Sequence, residues 1–96
     1  MYSIDELKTR FTPIFEEQDV RKATLFGSYA KGCAVEASDI DLVVDSGRTG
    51  LSFFGIVDAL NECVDKIVEV FDTTMLINGS PLETEVKQTG VVIYEK

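Results

Sequence analysis

Two carboxylates on a predicted strand are the residues of this chain best suited to chemistry. Asp39 and Asp41 flank Ile40 in the segment SDIDLVVD, whose apolar residues predict a β-strand. Side chains alternate across a strand, so both carboxylates project to one face, where they repel each other unless a cation lies between them. Hard divalent ions such as Mg²⁺ take oxygen ligands of this kind together with substrate phosphates. The pair therefore predicts a metal site.

A glycine–serine turn lies upstream of the carboxylate pair, directly after an apolar segment. Gly27 permits close approach of the backbone, and Ser28 opens a short helical turn whose free N–H groups favour an anion. Lys31 follows in the same turn and is either a phosphate contact or a solvated residue. The turn and the carboxylates together predict a site for a nucleotide and its metal ion.

The elements that must position these groups alternate between helix and strand. Ser3 and Glu6 form a predicted capping box that opens the first helix, and Pro13 is expected to kink or split that helix. Further helices are predicted for residues 51–64 and 82–88, with one very short helix after Gly27, and strands for residues 23–26, 40–45, 67–71 and 91–94. The order α-β-α-β-α-β-α-β indicates an α/β (α+β) fold.

Composition predicts one small domain spanning residues 1–96, with a single modest core, because 45% of the residues are hydrophobic. No run is long and apolar enough for a membrane span, and a signal-peptide pattern is not seen. Cys33 and Cys63 form no metal-binding motif, so we expect a reduced, cytoplasmic setting. The net charge of −8 argues against direct nucleic-acid binding and is compatible with a basic partner protein.

The segment GSYAKG followed by SDIDL resembles the G-S-x-A-[RK]-G…S-D-x-D motif of the nucleotidyltransferase superfamily that includes DNA polymerase beta. The likeness extends from the helix before LFGSYAKG to the terminal GVVIYEK. The chain resembles in particular the minimal nucleotidyltransferases, which are antitoxins paired with HEPN-domain toxins. This resemblance implies a polymerase beta-like fold, with a small mixed sheet of about four strands and helices packed on it.

The same resemblance implies the reaction and the residues that carry it. It implies Mg²⁺-dependent transfer of AMP from ATP to a tyrosine of a HEPN toxin. Gly27, Ser28 and Lys31 then contact the nucleotide phosphates, and Asp39 and Asp41 are catalytic ligands of a two-metal site. The chain is too short to hold an acceptor in a second domain, so we expect another protein to present the acceptor.

A third acidic ligand is expected, because sites of this family hold their metals with three carboxylates. Glu69 in KIVEVFD is the preferred choice, since a charge in the middle of an apolar strand is costly unless it has a function. Related proteins have aspartate at this place. Asp72, at the end of the strand, is the alternative, although an acidic residue there more often begins a turn.

Two hypotheses of function follow from these residues. In the first, the protein is an active nucleotidyltransferase that modifies a HEPN toxin and thereby acts as its antitoxin. In the second, it is a catalytically weak antitoxin or accessory subunit that masks the toxin by binding. Glutamate at position 69, where related proteins have aspartate, is compatible with this second hypothesis. A homo-oligomer that acts on a small molecule is the remaining alternative.

Overall fold

One mixed sheet organises the chain in the computed structural model, which describes residues 1–96. Its strands are β1 (Lys22–Phe26), β2 (Ile40–Asp45), β3 (Val68–Asp72) and β4 (Val91–Glu95). They lie in the order β3-β2-β1-β4, with β1 antiparallel to β2 and to β4, and β2 parallel to β3. The predicted mixed sheet of about four strands is thus confirmed.

Four α-helices and one 3₁₀ helix connect these strands. They are α1 (Ile4–Glu17), α2 (Ser28–Lys31), α3 (Gly50–Glu62), a 3₁₀ helix (Thr73–Met75) and α4 (Pro81–Thr89). The predicted order of helices and strands is confirmed, with β3 displaced by one residue and the 3₁₀ helix not predicted. None of the helices combines the length and the apolar character that crossing a bilayer requires.

Helix α1 begins at the predicted capping box, where Ser3 accepts from the Glu6 N–H and Glu6 accepts from the Ser3 N–H. Of the two outcomes predicted at Pro13, a kink or a split, the split is wrong, because α1 continues without interruption to Glu17. Phe11 and Phe15 flank the proline and are both fully buried. Burial of such a side chain contributes about 1.5–3 kcal/mol, which offsets the hydrogen bond that proline cannot make.

The core lies on one face of the sheet. Strand β2 alternates as predicted: Ile40, Leu42 and Val44 are fully buried and pack against α1 and α3. The opposite face of β2 carries the half-buried Asp41 and Asp45 together with Val43, which is buried. The main core therefore lies on one face of the sheet, and the acidic side chains of β2 lie on the other.

An amide side chain of α3 fixes the start of β3 beside β2. The Asn61 side chain accepts from the Val68 N–H at 2.8 Å and donates to the Val68 carbonyl at 3.1 Å. The Ile40 N–H donates to the Ile67 carbonyl at 3.0 Å, which joins β2 to the same place. These three bonds set which residues of β3 lie opposite those of β2.

Candidate active site

The parallel pairing of β2 and β3 brings two of the predicted carboxylates together. Asp41 and Glu69 are direct partners in the register, so both side chains project to the same face of the sheet. Asp41 is half-buried and Glu69 is exposed. The expectation that the strand of Glu69 lies beside the strand of Asp41 is therefore met by the topology.

The electrostatics of this face are those of a crowded acidic cluster. The pKa of Asp41 is raised from 3.8 to about 7, first by burial, then by a hydrogen bond that the protonated Asp41 carboxyl donates to the Glu69 carboxylate and by the charge of Glu69. The carboxylates of Glu85 and Asp39 raise the Asp41 pKa further. Excess negative charge of this kind is relieved by a proton or by a bound cation.

Asp39 lies just before β2, at the end of a tight loop. The loop is closed by Ser38, whose N–H donates to the Val35 carbonyl and whose hydroxyl accepts from the Val35 N–H, both at 2.9 Å. This closure fixes the chain immediately before Asp39, which is half-buried. Asp39 therefore enters the cluster from a restrained backbone.

The glycine–serine turn, residues 27–31, meets the carboxylates at the end of β1. Phe26, the last residue of β1, is the register partner of Asp41, so Gly27 lies beside the Asp41 side chain. Gly27 has φ 76° and ψ −152°, a conformation open essentially only to glycine. A Cβ at this position would lie 2.5 Å from Asp41 Oδ2. Only glycine allows the turn and the carboxylate to be this close.

Helix α2 begins at Ser28 and is the predicted single turn. Its first intrahelical bond runs from the Lys31 N–H to the Gly27 carbonyl at 3.0 Å, so the N–H groups of the residues before Lys31 have no acceptor within the helix. Lys31 is exposed and lines a polar cavity of about 520 Å³ between α2 and α4. The structure thus places Gly27, Ser28 and Lys31 along one short turn beside Asp41.

Asp72, the alternative third carboxylate, lies away from this cluster. It is three residues after Glu69 on the same strand, so its side chain projects to the other face of the sheet. Burial raises the Asp72 pKa, but hydrogen bonds from the Thr74 N–H and hydroxyl and from the Ser46 hydroxyl outweigh it and hold the pKa below its usual value. Asp72 caps the 3₁₀ helix, as an acidic residue at a strand end often does.

Helix α4 contributes two groups that the sequence analysis did not include. The Glu85 carboxylate oxygen Oε1 would lie 3.5 Å from a Cβ at Gly27, and the Thr89 hydroxyl accepts from the Gly27 N–H at 2.9 Å. No local motif marks either residue. They reach the site because β4 pairs with β1 and carries the end of α4 next to Gly27.

The carboxylate oxygens of this cluster are suitable ligands for a hard divalent cation, because a cation would relieve their mutual repulsion. No three acidic or sulfur-bearing side chains of the chain converge in a preformed ligand group. Asp41 and Glu69 are in contact, and Asp39 acts on Asp41 through its charge. The structure therefore brings together two of the three predicted ligands and places the third nearby.

Comparison with known sequences decides the family. Residues 10–96 match the family described as polymerase beta, nucleotidyltransferase. The chain belongs to that family. A protein of Methanocaldococcus jannaschii, named as a candidate protein adenylyltransferase, is 36% identical over 70 residues, which are 71% of this chain and 75% of that protein.

Solved structures of other proteins have the same fold as this nucleotidyltransferase. A candidate minimal nucleotidyltransferase is 25% identical, covers 94% of this chain and 95% of its own, and superposes with a TM-score of 0.74. A toxin–antitoxin structure with AMP-PNP is 19% identical, with a TM-score of 0.77 over 93% of this chain and 73% of that one. The MNT antitoxin complex with the tri-AMPylated HEPN toxin of Shewanella oneidensis is 16% identical, with a TM-score of 0.72 over 97% and 73%.

Proposed function

We propose that this nucleotidyltransferase transfers AMP from ATP to a tyrosine hydroxyl of a HEPN-domain toxin and acts as its antitoxin. The observation that carries the proposal is the contact between the glycine–serine turn and the Asp41–Glu69 pair, where a Cβ at Gly27 would meet the Asp41 carboxylate. This contact supports the proposal because a turn suited to phosphates then lies against acidic groups suited to a metal ion. The named adenylyltransferase relative and the fold shared with antitoxins support the same reaction.

The residues that would hold Mg²⁺ are Asp39, Asp41 and Glu69, each through carboxylate oxygens. When bound, the metal neutralises charge on the carboxylates and the triphosphate and polarises the phosphoryl oxygens. Ser28 and the free N–H groups at the start of α2 bind the phosphates, and Lys31 adds a positive charge at the same turn. These groups orient the α-phosphorus toward the exposed face of the sheet.

The transfer forms one bond and breaks one. The acceptor hydroxyl oxygen attacks the α-phosphorus in line, and the bond from that phosphorus to the oxygen leading to the β-phosphate breaks, so that pyrophosphate leaves with the electron pair. The chain contains no histidine, so a carboxylate is the nearest candidate for the hydroxyl proton. We assign this role to Glu69, which is exposed on the acidic face where an acceptor can approach.

The acceptor is presented by the partner at the acidic cluster, where the Glu69 side chain is exposed. Glu69 lies on β3, which is the edge of the sheet, so a protein docking at that edge reaches the cluster directly. The net charge of −8 favours a partner with a basic surface. The exposed thiol of Cys33 and the free thiol of Cys63 suit a reducing compartment, and we place the pair in the cytoplasm.

Incubation with the HEPN-domain protein of the neighbouring reading frame and ATP tests the proposal. We expect a mass increase of one or more AMP groups on a tyrosine of that protein, dependent on Mg²⁺. The Asp39→Asn, Asp41→Asn double variant should abolish the increase. Asp45→Asn is the matched control, because Asp45 lies on the same strand and face and pairs with Arg21 instead.

Binding without modification would overturn the catalytic proposal and leave the masking antitoxin. That outcome requires a stable complex, rescue of growth by the parent, and no added mass on the partner. Modification of a small molecule by the isolated chain, with no complex formed, would instead support the homo-oligomeric alternative.

A further inference from the structure

The N–H group of Gly27 is hydrogen-bonded to a helix that lies more than sixty residues further along the chain. It donates to the Thr89 hydroxyl at 2.9 Å, and this contact is partly buried. Gly27 is the residue whose φ of 76° turns the chain from β1 into α2. The bond therefore acts at the point where the direction of the glycine–serine turn is set.

The Thr89 hydroxyl is itself held in one orientation. It donates to the Glu85 carbonyl at 2.9 Å, which leaves its lone pairs free to accept from Gly27. The next residue, Gly90, lies against β1, since a Cβ there would lie 3.0 Å from the Thr24 methyl group. The end of α4 is thus fixed against the strand that leads into the turn.

No residue of helix α4 is fully buried, although Leu82 and Val86 are half-buried. The Ser80 hydroxyl accepts from the Glu83 N–H at 3.2 Å and caps the start of the helix without joining it to another element. At its other end, Thr89 provides the side-chain bond that joins α4 to the glycine–serine turn. Thr89 is accordingly a hydrogen-bonded link between α4 and the turn.

We propose that Thr89 is a positioning residue for nucleotide binding, which it serves by holding Gly27 so that the turn points its N–H groups at the phosphates. This inference rests on the proposed function. Loss of the hydroxyl leaves a partly buried N–H without an acceptor and lets Gly27 move. Because Gly27 touches the Asp41 carboxylate, that movement disturbs both the phosphate contacts and the carboxylate beside them.

Kinetics of Thr89→Val, which keeps shape and removes the acceptor, test the inference. We expect the KM for ATP to rise about tenfold with kcat within about threefold of the parent, because the turn binds ground state and transition state alike. The dissociation constant of Mg²⁺ with AMP-PNP should rise by about the same factor. Thr89→Ser, which restores the acceptor, should return both values to those of the parent.

Thr12→Val is the matched control. Thr12 makes the same hydroxyl bond to a carbonyl four residues earlier, on α1, without touching the turn. Equal KM and AMP-PNP affinity for Thr89→Val and the parent would overturn the inference. So would an equal loss in Thr12→Val, or a loss in Thr89→Val that Thr89→Ser does not restore, because both indicate a general effect on stability.

Amide hydrogen exchange at Gly27 tests the link between Thr89 and the turn without any catalytic assay. In Thr89→Ala we expect this amide to exchange about tenfold faster than in the parent, while amides of β2 remain unchanged. Unchanged exchange at Gly27 would refute the link even if the chain transferred no AMP. A parent that binds AMP-PNP but modifies no partner would refute the proposed function and leave the role of Thr89 standing.

Discussion

Neutralising Asp41 should stabilise the protein at high pH and not at low pH. The Asp41 pKa is raised to about 7 in the folded chain and returns to 3.8 on unfolding. A carboxyl of this kind favours the folded state when protonated, so its contribution is fully present below pH 3.8 and is lost as pH rises to about 7. Asparagine at this position stays neutral and avoids the loss.

The size of the effect follows from the rise in pKa and from exposure. At 1.36 kcal/mol for each tenfold change, the whole rise corresponds to at most about 4 kcal/mol. Asp41 is half-exposed, so screening by solvent reduces this to about 1–2 kcal/mol. Most of that loss falls between pH 5 and pH 7, since the unfolded carboxyl is already ionised at pH 5.

Urea denaturation of the parent and of Asp41→Asn, at pH 5 and pH 8 with a chelator present, measures the effect. The stability of the variant relative to the parent should increase by about 1 kcal/mol between the two pH values. Asp58→Asn, on the exposed side of α3, is the control and should show no such increase. If Asp41→Asn and the parent respond to pH in parallel, the carboxylates of this face do not interact as described.

Three further substitutions test the turn and the carboxylates. Ser28→Ala removes a hydrogen bond to a charged phosphate, so the dissociation constant of Mg²⁺ with AMP-PNP, measured by calorimetry, should rise about 10- to 100-fold; an unchanged value would place the phosphates elsewhere. Glu69→Gln should bind AMP-PNP nearly as the parent does but transfer AMP at least about a hundredfold more slowly. Full rescue of growth by this variant without partner modification would contradict the catalytic role of Glu69. Gly27→Ala should lose about 1–3 kcal/mol in thermal unfolding, because a Cβ at φ 76° would meet Asp41, whereas Gly55→Ala on α3, where space is open, should not destabilise.

Much of this arrangement was predictable because local chemistry determines it. The capping box of Ser3 depends on neighbouring residues and is confirmed, as is the burial of Ile40 and Leu42 on the face of β2 opposite Asp41. The continuity of α1 through Pro13 was not predictable, since it depends on burial of Phe11 and Phe15 against distant strands. Sequence patterns report the cost of a proline and not the packing that compensates for it.

The placement of the candidate site residues was predictable in part. The turn and the two aspartates are close in sequence and carry a motif, and Glu69 could be chosen because it interrupts an apolar strand. The contribution of α4 was not predictable, since Thr89 reaches Gly27 only through the pairing of β4 with β1. A threonine at the end of a helix has no pattern that distinguishes this role.

The two hydrogen bonds between the Asn61 side chain and Val68 also determine which face of β3 carries Glu69. Strand side chains alternate with a period of two, so a slip of β3 by one residue would turn Glu69 into the core and Val68 and Val70 into solvent. The Asn61 amide opposes that slip by pairing both polar groups of Val68 at once. An uncharged residue on the far side of the sheet from the acidic cluster therefore determines whether the chain presents Glu69 beside Asp41 at all.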